Sequence, residues 1–299
     1  MDGFVDFFAA ADPRLALLAL TLHLANIAFR SLAWTNVLRA AYPDRRVPLL
    51  GIAGAYAAGM ALNSFVPARG GDVAKIALAR TRIHGSSVPA IGSSMGVVAA
   101  FDAVVGATVI LLLAAFGQIP SPPGLPGLPA AVGSVAAHPA LVGVAAVLLV
   151  GAGLAVSRRW APRVRPLWES FRQGFAILGS PRRYATEVVP VQLAAWTCRI
   201  GAAYFLLAAL NVPASLSAAA IVVMVGGLST LVPTPGGVGT QQVMLAYLLH
   251  TTASTATIVS FSIGMQAAVT TLNVLIGLTA AMLMLRTLRP MGALRALRQ

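Results

Sequence analysis

The sequence predicts an all-α polytopic membrane protein in which an inverted repeat surrounds two re-entrant helical hairpins. The first observation is composition: the 299 residues are 58% hydrophobic and 10% charged, whereas a soluble domain has about 25% charged residues. The second is a pair of proline- and glycine-containing stretches, Asn63–Asp72 and Thr230–Gln242, inside apolar sequence. The third is a similar offset, of 166 or 169 positions, between matching residues of the two halves. Together they favour a single transmembrane domain over residues 1–299.

Five apolar segments are long enough to cross a bilayer, which takes roughly 20 helical residues. Two further pairs of segments are too short, and each pair flanks one of the broken stretches. We therefore predict two re-entrant hairpins with the stretches at their tips; full but thinned crossings, giving about seven to nine spans, are the alternative. The predicted spans are Leu15–Leu38, Val88–Phe116, Val135–Val156, Val188–Leu210 and Ile258–Leu285, and the short pairs are Gly51–Val66 with Asp72–Thr81 and Leu216–Val232 with Thr240–His250.

The two broken stretches are expected to be unwound, because proline removes a backbone donor and glycine permits unusual dihedral angles. In hydrocarbon, unwound backbone is stable only where it is buried in protein or lines a wet cavity. Breaks at matching positions of two halves indicate a binding site near the centre of the membrane.

The halves share Pro and Arg residues at similar spacing. Pro233 follows Pro67 by 166 positions, and Arg199 follows Arg30 by 169. Chance similarity between two Ala-, Leu- and Val-rich halves is the alternative explanation, but it does not account for shared Arg and Pro. The predicted organisation is a first repeat at 14–116, a linker with one span and a basic cytoplasmic segment at 117–187, a second repeat at 188–285 and a basic cytoplasmic tail at 286–299.

The net charge is +13, but the arginines flank apolar segments, which is the pattern of the positive-inside rule rather than of a nucleic-acid-binding protein. Placing every basic loop in the cytoplasm puts the N-terminus outside and the C-terminus inside. The uncharged loop Pro120–Pro129 then lies outside, and the hairpins enter from opposite faces. The basic residues that set this orientation are Arg39, Arg45, Arg46, Arg80, Arg82, Arg158, Arg159, Arg163, Arg165, Arg172, Arg182, Arg183, Arg286, Arg289, Arg295 and Arg298.

Ionisable residues inside spans are costly and are therefore candidates for function. Four cations and two carboxylates lie in spans or near the first tip, a balance that favours an anionic guest such as a phosphate-bearing head group. The helices that begin near Asp72 and Thr240 would also direct N-terminal backbone donors at the tips. The ionisable candidates are Arg30, Arg69, Asp72, Lys75, Asp102 and Arg199.

Structural roles are the alternatives for several of these residues. Asp102 and Arg199 would form a buried bridge, Arg69 and Lys75 would extend to the head-group region, and Asp72 would only cap its helix. Few sequence patterns indicate catalysis. No carboxylate pair lies at short spacing in a span, and no two histidines have the helical spacing of metal ligands. We therefore expect no enzyme activity, no cofactor and no metal site.

The motifs Asn63-x-x-x-Pro-x-Arg-x-Gly-Asp72 and Pro233-x-Pro-Gly-Gly-x-Gly239 resemble the paired signatures of the lysylphosphatidylglycerol synthase transmembrane-domain family. This family comprises flippase-like membrane proteins related to the N-terminal half of the multiple-peptide-resistance protein. The resemblance covers essentially the whole chain. It implies a multi-pass plasma-membrane protein of bacteria or archaea that moves or presents a polar lipid. The resemblance is to the transmembrane part of the fused members and not to their aminoacyl-transferase domain, so we do not expect it to imply lipid aminoacylation.

The chain departs from the family pattern at two positions. The family usually has Glu where this chain has Gln242, and commonly Glu where it has Asp72. The change at Gln242 removes a carboxylate, which argues against proton coupling there and suits an anionic guest.

The leading hypothesis is a translocator for an anionic phosphate-bearing or polyprenyl-linked lipid. One alternative is a non-catalytic membrane partner of an envelope glycosyltransferase or lipid-synthesis enzyme, docked through Ser157–Arg183. Another is an intramembrane enzyme acting on a polyprenyl phosphate. The residues predicted to bind substrate are Arg30, Asn63, Arg69, Gly70, Gly71, Asp72, Lys75, Asp102, Arg199, Pro233, Pro235, Gly236, Gly237, Gly239 and Gln242.

Overall fold

A computed structural model describes residues 9–66, 70–118, 168–230 and 237–296, with side chains as far as Met284. Throughout these ranges the regular structure is helical, as the sequence predicts, and no strand occurs in them. The helices are α1 (Pro13–Ala41), α2 (Leu49–Asn63), α3 (Gly71–Arg82), α4 (Val88–Ala115), α5 (168–174), α6 (Pro181–Glu187), α7 (Val189–Ala209), α8 (Leu216–Ser229), α9 (Thr240–Leu248) and α10 (Thr255–Ala296), with a 3₁₀ turn at Ala176–Gly179.

Four stretches in the described part of the chain are long and apolar enough to cross a bilayer. They are α1, α4, α6 together with α7, and α10 as far as Met284. The chain is therefore a multi-pass membrane protein, and four predicted spans coincide with these helices. The third begins at Pro181 rather than Val188. The remaining predicted span, Val135–Val156, and the loop Pro120–Pro129 lie outside the described residues.

Side-chain caps mark the starts of two of the long helices, α1 and α4. Asp12 accepts a hydrogen bond from the Arg14 N–H at 2.8 Å, and Pro13 occupies the first turn of α1. Ser87 accepts from the Ala90 N–H at 3.3 Å at the start of α4. Both are the residue types that satisfy the free N–H groups of a helix N-terminus, where proline is also tolerated.

The short helices lie where the sequence predicts them, on either side of the broken stretches. The order of helices is long, short, short, long in α1–α4 and again from the α6–α7 stretch to α10. In the second stretch Gly237 and Gly239 have positive φ angles of 74° and 85°, which residues with a Cβ rarely adopt. The tip residues 67–69 and 231–236 lie outside the described ranges.

Glycines also set how closely helices approach. A Cβ on Gly59 of α2 would lie 2.6 Å from the carbonyl oxygen of Gly71 at the start of α3. On α10, a Cβ on Gly277 would lie 2.7 Å from the Ala57 carbonyl oxygen. Side chains larger than hydrogen do not fit at these crossings, so α2 packs closely against both α3 and α10.

The most extensive contact joins α1 to α7, which run antiparallel. The Asp12 N–H donates to the Ala209 carbonyl at 2.8 Å, while Asn36 Nδ2 donates to the Glu187 carbonyl at 2.8 Å. The start of one helix therefore lies beside the end of the other. This pair connects the two halves of the chain.

The helix ends that carry basic residues lie together at one end of the bundle, called the basic end below. Arg82 Nη2, at the end of α3, donates to the Met284 carbonyl at 2.9 Å, and Arg45, after α1, donates to the His84 carbonyl. Gln173 Nε2 donates to the Ala41 carbonyl at 2.8 Å. The ends of α1 and α3, the α5 region and the Met284 region of α10 are thereby brought together.

Candidate functional site

The intramembrane charges Arg30 and Asp102 form a bidentate ion pair between α1 and α4. Arg30 Nη1 lies 3.1 Å from Asp102 Oδ1, and Nη2 contacts Oδ2. Arg30 Nε also donates to the Tyr56 hydroxyl at 2.7 Å, and Trp196 Nε1 donates to Asp102 Oδ1 at 3.0 Å. These four residues, called the ion-pair cluster, come from α1, α2, α4 and α7. Because each charge is paired and hydrogen-bonded, the cluster is compatible with an apolar environment.

The first broken stretch is held by Asn63. Its Oδ1 accepts from the Gly71 N–H at 2.7 Å, and its Nδ2 donates to Asp72 Oδ1 at 3.1 Å. Lys75 Nζ lies 2.7 Å from the same Asp72 oxygen and 4.6 Å from the centre of the Tyr56 ring. Asn63 and Asp72 therefore fix the start of α3, and Lys75 connects it to the ion-pair cluster through a cation–π contact.

Two of the structural alternatives differ from what is observed here. The side chain that accepts an N–H at the start of α3 is Asn63, and Asp72 lies inside the first turn. Lys75 is buried, with 6% exposure, rather than extended away from the protein. Its charge is retained inside the protein by Asp72 and the Tyr56 ring. Gly70 and Gly71 form the N-cap and first residue of α3.

Arg199, which follows Arg30 by 169 positions in the sequence, lies on α7. Its Nη2 donates to the Val223 carbonyl on α8 at 3.2 Å, and its guanidinium lies 5.5 Å from the centre of the Trp196 ring. The ion pair of Asp102 is with Arg30 rather than with Arg199, which was the alternative partner. Trp196 therefore contacts Asp102 through its N–H and Arg199 through its ring.

The second broken stretch is fixed by Gln242, three positions after Gly239. Gln242 Oε1 accepts from the Gly239 N–H at 2.7 Å, and its Nε2 donates to Gln266 Oε1 on α10 at 2.7 Å. A glutamine in this position satisfies a free N–H group of the first turn of α9. Its amide N–H₂ also binds α10, which a carboxylate would not do by donation.

A cavity of about 280 Å³, called the central cavity, lies between the two broken stretches. The first stretch contributes Asn63 and Ser64, and the second is represented by Thr230 and by Gln241 at the start of α9. No carboxylate is present among the described residues that line it. Its polar lining consists of His23, Asn63, Ser64, Arg199, Thr230, Gln241, Gln266, Thr270 and Asn273.

The amino-acid sequence matches one known protein family. The profile of the family described as the lysylphosphatidylglycerol synthase TM region matches residues 2–277. The chain belongs to this family. The match confirms the resemblance carried by the two motifs and indicates a lipid-related membrane protein. No curated protein and no solved structure matches the chain.

In this member of the lysylphosphatidylglycerol synthase TM family, only some of the predicted site residues line the central cavity. Asn63 and Arg199 line the central cavity. A chain of contacts connects Asp72, Lys75, Arg30 and Asp102 to it through Tyr56, Trp196 and Arg199. Gly237, Gly239 and Gln242 form the turn and cap of the second stretch. Arg69, Pro233, Pro235 and Gly236 lie outside the described residues.

The cavity also contains polar residues that were not among the predicted site residues. His23 Nε2 lies 3.0 Å from Asn273 Oδ1, joining α1 to α10, and Gln266 contacts the cap of α9. Each is a polar residue in a predominantly apolar helix, and the partner of His23 is 250 positions away. The sequence signal was the polar side chain inside a span, which is costly unless it has a partner. Within the described residues, no group of three or more metal-binding side chains is present.

Proposed function

We propose that the protein is a translocator for an anionic, phosphate-bearing lipid and is not an enzyme. The observation that carries this proposal is the central cavity, where two broken stretches from the two halves meet a guanidinium group and several neutral hydrogen-bonding side chains. A volume of about 280 Å³ is below the roughly 300–1,000 Å³ of sites that enclose a drug-sized ligand. The cavity therefore suits a head group, while the lipid tails stay in the bilayer.

Arg199 is the residue proposed to bind the phosphate, because guanidinium matches phosphate oxygens in a bidentate arrangement. Asn63, Thr230, Gln241 and Asn273 supply neutral donors and acceptors around it. Arg30 has a different role in this proposal, since Asp102 and Tyr56 already engage its guanidinium. It positions Asp102 and Trp196 and, through the Trp196 ring, Arg199.

The proposal includes an inverted repeat with hairpins that enter from opposite faces and a cytoplasmic basic end. Support comes from the helix ends. Arg82 side-chain atoms lie within 3.4 Å of where a Cβ on Gly51 would be, so α2 starts and α3 ends at the basic end. α8 follows the end of α7, which lies beside Asp12 at the other end. Such repeats present two half-sites at the middle of the membrane.

Translocation of a fluorescent phosphatidylglycerol tests the proposal, with the protein reconstituted in liposomes and a membrane-impermeant quencher added outside. Arg199→Gln removes charge-assisted hydrogen bonds worth about 1.5–3 kcal/mol, so we expect the rate to fall about tenfold or more. Gly226→Leu is an independent test, because Gly226 lines the cavity and a Cβ there meets no atom within 4 Å. The added side chain fills the cavity and is expected to block transfer.

The matched control is Gly179→Leu, since Gly179 also has no atom within 4 Å of an added Cβ but does not line the cavity. It is expected to keep the wild-type rate. Transfer at the wild-type rate by both Arg199→Gln and Gly226→Leu would overturn the proposal, provided that both variants elute as the wild-type protein does in size-exclusion chromatography.

A non-catalytic partner of an envelope glycosyltransferase or lipid-synthesis enzyme is the second candidate. It is favoured by Trp168 and Phe171, which are 60% and 41% exposed and stack with ring centres 5.8 Å apart. They lie in the basic segment Ser157–Arg183, of which residues 168–183 are described. Trp168→Ser with Phe171→Ser is expected to abolish co-purification of such an enzyme but leave lipid transfer unchanged. Loss of lipid transfer with co-purification unchanged would favour transport alone.

A further inference from the structure

A second cavity, called the interfacial cavity, lies at the basic end of the bundle. Its volume is about 700 Å³, and its lining combines the turn between α1 and α2 with the start of α6. Four guanidinium groups contribute to this lining, those of Arg39, Arg45, Arg46 and Arg183. No carboxylate is among its described lining residues. It shares no lining residue with the central cavity.

The charge of the interfacial cavity remains positive when its neighbours are included. Asp44 lies in the same turn, and Glu187 accepts from Arg183 Nε at 3.0 Å. These two carboxylates offset two of the four guanidinium groups. Arg45 is held in place by the His84 carbonyl and by the Tyr42 ring, whose centre lies 5.7 Å from its guanidinium. Part of the positive surface is therefore preorganised.

The positive-inside rule accounts for arginines near span ends, but it does not account for their arrangement with apolar side chains around one cavity. Leu49 and Leu50 form part of the same lining, and Leu50 is 86% exposed. A surface with guanidinium groups beside exposed leucine matches a ligand that has an anionic head and an apolar body. Basic pockets at the cytoplasmic ends of transmembrane helices bind anionic lipid head groups in this way.

We propose that the interfacial cavity is a second binding site, which holds the phosphate head group of an anionic lipid at the membrane surface. Arg39 and Arg46 bind the phosphate oxygens, Arg45 supports them from its fixed position, and Leu50 contacts the start of the acyl chains. The bound lipid is resident rather than transported, because this cavity is separate from the central cavity. Inorganic phosphate has the same oxygen chemistry but lacks the apolar body.

Native mass spectrometry of the full chain in a neutral detergent tests the site. The probes are phosphatidylglycerol, phosphatidylcholine and inorganic phosphate, and all proteins carry Gly226→Leu to fill the central cavity. Arg39→Gln with Arg46→Gln is expected to weaken phosphatidylglycerol binding at least tenfold, and phosphatidylcholine is expected to bind weakly throughout. The matched control is Arg80→Gln with Arg172→Gln, which removes the same charge from exposed arginines outside the lining. It is expected to change binding less than twofold.

Equal weakening by both double variants would overturn the proposal, because it would show attraction by bulk charge rather than a site. Competition by inorganic phosphate as effective as that by phosphatidylglycerol would also overturn it, in favour of a free-anion site. A double variant that fails to fold would show a lowered melting temperature without lipid. In that case Leu50→Ser tests the apolar contact alone, and an unchanged ratio of phosphatidylglycerol to inorganic phosphate binding would overturn the proposal.

Discussion

Arg30 and Asp102 form an ion pair in which each charge depends on the other for its partner. The side chains of Arg30 and Asp102 are 17% and 22% exposed; Arg30 also donates to the Tyr56 hydroxyl, and Asp102 accepts from Trp196 Nε1. Removing one member of such a pair leaves a charge with no partner in a poorly hydrated place, which costs more than the pair itself contributes. The stability of the protein is therefore expected to be sensitive to the loss of either charge of the ion pair.

Asp102→Asn is expected to lower the free energy of unfolding by about 3 kcal/mol, near the lower end of the range for breaking a buried pair because this pair retains some exposure. The measurement is a denaturant titration in detergent micelles. Glu187→Gln is the control, since its pair with Arg183 is 42% and 41% exposed and contributes about 1 kcal/mol or less. The double variant Arg30→Gln, Asp102→Asn is expected to be more stable than Asp102→Asn alone. If Asp102→Asn lowered the free energy of unfolding no more than Glu187→Gln does, the assignment of Arg30 and Asp102 as a buried ion pair would be wrong.

Among the helices, the contact of α10 with α2 depends on Gly277. An added Cβ there would lie 2.7 Å from the Ala57 carbonyl oxygen and would also contact the Ala61 side chain. In a membrane, small residues at a crossing allow helices to approach closely, and packing replaces the hydrophobic effect as the source of their association. The position of α10, which carries Gln266 and Asn273 into the central cavity, therefore depends on this crossing.

Gly277→Ala is expected to destabilise the protein by about 1–3 kcal/mol, the range for overpacking a close contact. Gly92→Ala on α4 is the matched control, because the only described atom near its added Cβ is Ile76 Cδ1 at 3.6 Å. Ala is favoured over Gly in a helix interior by about 0.5–1 kcal/mol, so the control is expected to gain stability. Thermal unfolding of the two variants in the same detergent should shift in opposite directions. Unfolding temperatures that shift in the same direction in both variants would contradict a close crossing of α2 and α10 at Gly277.

Features that depend on neighbouring residues can be predicted from this sequence, whereas contacts between distant residues cannot. The helices follow from local apolar runs and caps, so α1, α4 and the short helices appear within a few residues of the predicted bounds. The pairing of Arg30 with Asp102 spans 72 positions and depends on how the helices rotate about their axes. Composition and spacing do not contain that information. His23 and Asn273 were missed as a pair for the same reason.

For the whole molecule, the central question is whether both halves present their broken stretches to one cavity from opposite sides of the membrane. The common order of helices in the two halves and the clustering of basic ends agree with this arrangement. Two hairpins that entered from the same face would not form the inverted repeat of the proposal. The topology of the hairpins therefore tests the proposed arrangement, and it can be measured without knowing the lipid.

Single cysteines introduced into a Cys198→Ser background provide that measurement, because Cys198 is the one cysteine of the sequence. Asp44 and Arg182 are exposed at the basic end, whereas Gln118 and Thr251 are exposed after α4 and before α10. With the basic end in the cytoplasm, an impermeant maleimide added to intact cells should label Gln118→Cys and Thr251→Cys. It should label Asp44→Cys and Arg182→Cys only after the membrane is permeabilised. Labelling of Asp44→Cys and Thr251→Cys from the same side would require α2–α3 and α8–α9 to enter from one face, and the shared cavity would then no longer connect the two leaflets.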